Sequence, residues 1–96
     1  MAIVTVRYPS EIREIVGKRE EMLTVDDDAT VETLLQVLSE KYGHEFSQYI
    51  FDEKTEAPRV HLQLLVDGRS TAALQGSRTR IIDRCVFTIV PSVAGG

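Results

Sequence analysis

Few side chains in this sequence could do chemistry on their own. Cys85 is the single cysteine, and His44 and His61 are the two histidines. One thiol builds no internal disulfide, no thiolate zinc site and no iron–sulfur cluster. No histidine or acid adjoins Cys85 in sequence to lower its pKa, so it reads as an apolar filler rather than a nucleophile. His44 reads as an exposed polar residue beside a helix end, and His61 as a solvated position on the outer face of a strand. Asp26-Asp27-Asp28 lacks the spaced acids, glycine and distal glutamate of a calcium loop and reads as a solvated turn. No nucleophile–base–orienter set, phosphate-cradling glycine loop or cofactor fingerprint is present. A free-standing hydrolase or oxidoreductase is not expected, nor is a bound metal or cofactor.

The last six residues, Pro91-Ser92-Val93-Ala94-Gly95-Gly96, carry a different kind of chemistry. They hold no charged side chain and little bulk, and Pro91 suits the end of a strand because it lacks an N–H for the ladder. Two glycines without Cβ let a chain bend and thread a narrow channel, with Val93, Ala94 and Gly95 passing through it. The α-carboxylate of Gly96 would then reach a partner's active site while the folded part stays outside. A carboxylate is a poor electrophile. Adenylation by ATP turns it into a mixed anhydride that sulfide or an amine can attack. The plain alternative is a frayed terminus of small residues.

Such a tail needs a scaffold to aim it. Residues 2–7, AIVTVR, alternate and are β-branched, which predicts a strand ended by Tyr8-Pro9-Ser10. Residues 10–19 suit a hairpin connection, and 20–25, EEMLTV, a second strand. Val31, Leu34, Leu35, Leu38 and Tyr42 recur at helical spacing, predicting a helix over 31–42. Thr30 is its N-cap, Glu32 and Lys41 match the helix dipole, and Gly43 follows at a position that often needs φ > 0. Phe46, Tyr49 and Ile50, within the less regular stretch 44–59, form a short helix or turn on the core edge. Val60, Leu62, Leu64 and Val66 share one face of a strand at 60–66, closed by the tight turn Asp67-Gly68. Residues 69–84 read as turns around a short strand near 72–74, and 85–90, CVFTIV, as the last strand.

The first two strands form a hairpin, the helix crosses to a third, and the last returns beside the first. The expected fold is therefore α+β: a β-grasp, or ubiquitin-like roll, with a mixed four- to five-stranded sheet around one main helix. Residues 1–90 form the domain and 91–96 a flexible tail.

The helix TVETLLQVLSEKYG at 30–43, LLVDGR at 64–69 and FTIVPSVAGG at 87–96 carry a resemblance over nearly the whole chain. The sequence resembles the molybdopterin-synthase small-subunit and thiamine sulfur-carrier family (MoaD/ThiS-like), and looks closer to the molybdopterin branch. It is also similar to archaeal small ubiquitin-like modifiers. The resemblance implies that Gly96 is adenylated by an E1-like enzyme, which uses ATP, and then becomes a thiocarboxylate. In the molybdopterin branch the charged carrier pairs with the large catalytic subunit of molybdopterin synthase and donates sulfur to a pterin precursor. In the modifier reading Gly96 joins lysines of target proteins. Either way the chain is a carrier and co-substrate, not an enzyme. Position 92 is Ser where the molybdopterin branch often has a second Pro.

The family's partner contact is an apolar patch on the open face of the sheet. Alternation puts Val86, Thr88 and Val90 on one face of the last strand and Phe87 and Ile89 on the other, while Leu65 opposes the Val60–Val66 set. Leu65, Val90 and Pro91 are therefore the expected partner contacts.

Composition bounds the remaining possibilities. Ninety-six residues make one domain, and 43% apolar with 27% charged residues is ordinary for a globular protein. The net charge of −4 disfavours a nucleic-acid surface. No apolar run approaches the ~18 residues of a membrane span, and the start does not read as a signal peptide, so no membrane partner and a cytoplasmic home are expected. Charge is uneven: residues 1–58 balance at −7 and 59–96 at +3. Arg69, Arg78, Arg80 and Arg84 could face an acidic partner or simply be solvated. A non-covalent β-grasp interaction module remains the alternative from another class. It differs in predicting that loss of Gly95 and Gly96 has no effect.

Overall fold

Alternation builds the sheet as expected. In β1 (Ala2–Arg7), Ala2, Val4 and Val6 are buried while Ile3 and Arg7 are exposed. The computed structural model describes residues 1–51 and 62–91. After β1 come α1 (Ser10–Val16), β2 (Glu20–Val25), α2 (Val31–Tyr42), α3 (His44–Ile50), β3 (Leu62–Val66), β4 (Arg69–Ser70) and β5 (Cys85–Pro91). Two single 3₁₀ turns, Thr71–Ala73 and Gly76–Arg78, lie between β4 and β5. The sheet order is β2-β1-β5-β3-β4. β1 and β2 form the antiparallel hairpin, and β5 lies parallel to β1 and antiparallel to β3. This is the mixed β-grasp sheet. Among the described residues no helix is long and apolar enough to cross a membrane.

Helix α2 supplies the other half of the core. Val31, Leu34, Leu35 and Leu38 are all fully buried, and Tyr42 packs at the core's margin. The Thr30 hydroxyl accepts the Thr33 N–H at 3.4 Å, closing the helix start as its sequence suggested. Strand residues Val4, Val6, Phe87 and Ile89 meet this stripe, and Phe46 and Ile50 of α3 extend the same core.

Three expectations need correction. Residues 10–19 are not a plain hairpin connection, because Ser10–Val16 is helical. Ile12 and Val16 bury one apolar stripe with Ile15 packed beside them, and Gly17 ends the helix in the left-handed region (φ 80°), its N–H donating to the Arg13 carbonyl at 2.7 Å. Pro9 precedes the helix in an extended conformation (φ −73°, ψ 161°), where its missing N–H costs nothing. The strand expected near 72–74 sits instead at Arg69–Ser70. Asp67 and Gly68 both have positive φ (51° and 83°), the geometry of a two-residue type I′ turn, so pairing resumes at once as Val66 with Arg69 and Leu65 with Ser70. Strand β5 extends one residue past the expected end, to Pro91, in register with Leu62. The expected positions of Val60 and His61, and the stretch 52–59, lie outside the described residues.

Gly43 joins α2 directly to α3. Its φ of 87° and ψ of −161° fall in a region essentially reserved for glycine, not in the common left-handed helix cap. A Cβ added there would meet no atom within 4 Å, so the constraint is backbone conformation alone. Replacing Gly43 by Ala should destabilise the fold by about 1–3 kcal/mol with no change in core packing, read as a lowered urea midpoint at unchanged slope.

Candidate functional site: the tail-bearing strand and the open face of the sheet

The residue order Cys-Val-Phe-Thr-Ile-Val gives β5 two faces of different character. Cys85, Phe87 and Ile89 are buried against the helices, while Val86, Thr88 and Val90 are half-buried on the opposite, open face. The strand is held on both edges. Val4 to Arg7 of β1 pair with Cys85 to Thr88 on one side, and Leu62 to Val66 of β3 pair with Phe87 to Pro91 on the other. Beyond Pro91 the sequence continues into Ser92-Val93-Ala94-Gly95-Gly96, which lies outside the described residues. The fold therefore fixes where the tail begins.

The pairing registers map the open face. Leu65 stands opposite Thr88, and Gln63 opposite Val90, which makes Leu65 and Val90 diagonal neighbours on one surface. Both are half-buried. Arg7 lies across from Thr88 on β5 and from Glu20 on β2, continuing the same row. In the next row Met22, Thr5 and Val86 stand side by side, and Met22 is 69% exposed. Arg7, Thr88, Gln63 and Met22 were not singled out in the sequence, although alternation in β1 and β2 already set the face of Arg7 and Met22. The last strand was expected beside the first; what the sequence lacked was the register, which sets Arg7 opposite Thr88 and Met22 and Thr5 level with Val86.

The four arginines do not gather at the tail. Arg69 pairs with Val66 and Arg84 immediately precedes Cys85, so both sit toward the start of β5, away from Pro91. Arg80 turns to the start of α2, where its guanidinium donates to the Asp27 carbonyl at 2.7 Å. Arg78 is exposed in the second 3₁₀ turn. Cys85 is 1% exposed, and burial, reinforced by the Asp67 charge, pushes its thiol up from the ordinary value, away from the thiolate a nucleophile needs. His44 is exposed at the first position of α3. Among the described residues no group of three or more His, Cys, Asp or Glu is placed to hold a metal ion.

The end of the sheet from which the tail departs carries a charge network that sequence reasoning missed. Glu21 points inward from β2 in line with Leu23 and Val25, and its side chain is 8% exposed. One carboxylate oxygen accepts from the hydroxyls of Tyr8 (2.6 Å) and Tyr42 (2.5 Å). The other accepts from Lys18 (3.0 Å) and Lys41 (3.1 Å). Burial alone would push the carboxyl up, but these four donors outweigh it and hold it down at about 2. The Tyr8 hydroxyl, buried and bonded to that carboxylate, is pushed well above its ordinary value. Tyr8 packs edge-to-face on Tyr42 and Phe46, and Tyr42 and Phe46 lie tilted to one another, with ring centroids 5.9–6.4 Å apart. The donors come from the β1–α1 junction, the α1–β2 loop and the last turn of α2, so no local sequence pattern announces them.

The ThiS family model matches residues 6–96, nearly the entire chain. The chain belongs to the ThiS family. Small archaeal modifier protein 3 of Haloferax volcanii is 33% identical over 90 residues, covering 94% of this chain and 95% of that protein. Two solution structures are similar throughout. The Haloferax volcanii HVO 2177 protein has a TM-score of 0.82 at 29% identity, covering 99% of this chain and 87% of that one. The small archaeal modifier protein 1 of Methanosarcina acetivorans has a TM-score of 0.78 at 31% identity, covering 100% and 98%. This ThiS-family chain thus stands among the ubiquitin-like sulfur carriers and archaeal modifiers, small proteins that are generally not catalysts themselves.

Glu21 has a measurable signature. Its folded value of about 2 lies below its ordinary 4.5, so it contributes stability above pH 4.5 that is lost as pH falls through 2. Wild type should exceed Glu21→Gln by about 2 kcal/mol at pH 7. That difference should shrink steadily from pH 4.5 to pH 2 in urea titrations.

Proposed function

We propose that this chain is a carrier activated at Gly96. An E1-like enzyme catalyses attack of the Gly96 carboxylate on the α-phosphorus of ATP, releasing pyrophosphate and forming an acyl-adenylate. Sulfide from a donor then attacks the acyl carbon, the C–O bond to AMP breaks, and Gly96 leaves as a thiocarboxylate. The sulfur is passed to a pterin precursor bound by the large catalytic subunit of molybdopterin synthase. ATP is consumed by the activating enzyme and no cofactor resides on the carrier. The observation that supports this reading is a strand pinned on both edges whose sequence continues, three residues after Pro91, into a diglycine. Small residues there allow Val93, Ala94 and Gly95 to thread a channel that a bulky or charged residue would block.

A second reading has specific support from the modifier protein at 33% identity. In it the activated Gly96 acylates a lysine amine of a target protein, giving an isopeptide and AMP. The two readings share activation and differ in the acceptor. Both place the partner on the open face, with Leu65 and Val90 as contacts and Pro91 setting the direction of the tail, in a cytoplasmic setting.

Incubation with an activating enzyme, ATP and a sulfur source should give a mass gain matching one oxygen exchanged for sulfur, and a chain lacking Gly96 should show none. Larger protein conjugates instead would establish the modifier reading. No adenylation by any cognate enzyme would leave the non-covalent interaction module as the account. Leu65→Arg, on the open face, should cut the activation rate at least ~10-fold, as loss of a central interface contact does, while leaving the unfolding midpoint nearly unchanged.

A further inference from the structure

The chain has three lysines, Lys18, Lys41 and Lys54. Two of them, from different elements, converge on one oxygen of Glu21, at 3.0 and 3.1 Å. They are not hidden, since each keeps 43% of its side chain exposed to solvent. Register places them at a telling position. Glu21 pairs with Val6, Glu20 with Arg7, and Arg7 with Thr88 on β5, so the network occupies the end of the sheet toward which β5 runs to Pro91. Five residues separate Pro91 from the Gly96 carboxylate, an extended reach of up to roughly 17 Å. If Gly96 is activated as proposed above, the lysines at this end are among the amines that the tail of the same or a neighbouring copy meets.

An acyl-adenylate is attacked by a neutral amine. The nitrogen lone pair forms the new N–C bond, the C–O bond to AMP breaks, and the ammonium proton must go to a base. An amine held as an ammonium ion on a carboxylate has no free lone pair, and it must surrender an ion pair before it can react. Glu21 is a poor base for that proton, because four donors already occupy its two oxygens. The tyrosine hydroxyls hold the carboxylate in place, so the lysines lose a fixed partner, not a mobile one, when they depart. We propose that Glu21 makes Lys18 and Lys41 poor acceptors for an activated carboxylate, so that a charged carrier does not acylate itself or its neighbour at the tail-bearing end. Glu21 is in this sense a positioning residue that sets which amines are available. The inference rests on activation at Gly96 for its purpose, but not for its chemistry.

A small acylating reagent tests it without any activating enzyme, so its failure is separate from failure of the Gly96 reading. The intact chain and N-acetyl-lysine amide are treated together with limiting acetic anhydride at pH 8, and each site is quantified by peptide mass spectrometry. Lys18 and Lys41, each held on the Glu21 carboxylate, should react at least ~5-fold more slowly than the free amide, an effect of the size a well-formed ion pair supplies. In Glu21→Gln both should come within ~2-fold of the amide. Equal rates for both lysines and the amide in wild type, or no change in a folded Glu21→Gln, would overturn the proposal. Should that variant unfold, the ¹⁵Nζ titration of Lys18 in the unaltered chain decides. A midpoint above free lysine supports the proposal, in keeping with the upward push that Glu21 exerts on Lys18, and a midpoint at or below it overturns the proposal.

Discussion

Strand β5 has to satisfy two neighbours of opposite direction at once. Its parallel partner β1 comes from the start of the chain and its antiparallel partner β3 from just before it, and the core face it shares with them carries Phe87 and Ile89. Parallel strands need a crossover, and here nearly the whole chain serves as one, with α2 as its main body. Remove β5 and the sheet falls into two separate hairpins, β1–β2 and β3–β4, each too small to be stable alone. The same double pairing that closes the core also fixes the direction in which the chain leaves it.

Two further ties act at opposite ends of β1. Near the start of β5 the tie lies within the sheet: the Ile3 N–H donates to the Asp83 side-chain carboxylate at 2.9 Å and the Arg84 N–H to the Ile3 carbonyl at 2.7 Å. Toward the end of β1 the tie is the Glu21 carboxylate, which joins β2, the β1–α1 junction and the end of α2 through side chains. A buried carboxylate is costly unless its lone pairs are filled. Here two neutral hydroxyls and two ammonium ions fill them, so the group contributes stability and definition together.

Much of this was legible in the residues. The period-3.6 stripe of Val31 to Tyr42, its Thr30 cap, the alternation of β1 and β5 and the Asp67-Gly68 turn each point to one local structure, and those local structures admit few topologies. Placement of Leu65 and Val90 on the open face followed from alternation alone. Helix α1 was obscured by its own punctuation: Pro9 and Gly17, seven helical residues apart, look like loop signals, and the Ile12–Ile15–Val16 stripe between them is too short to dominate. Strand β4 has only two residues, and two residues cannot show a period. Glu21 was illegible for a different reason. Its four donors are distant in sequence, and a lone Glu in a strand looks like an edge charge until the fold brings Tyr42 and Lys41 down upon it.

The parallel pairing of β1 with β5 has a consequence for how the protein is made. Contacts such as Ile3 with Arg84 span about 80 residues, so ordered assembly of the sheet waits for the last strand, and loop closure of that length slows folding. On a ribosome, residues 1–80 can form helices and two hairpins but lack the strand that joins them. A nascent chain released early would lack β5 and would be open to proteolysis as an unfolded species. Folding thus acts as a completeness check: every molecule that acquires the native sheet has been synthesised at least through the strand that carries the tail.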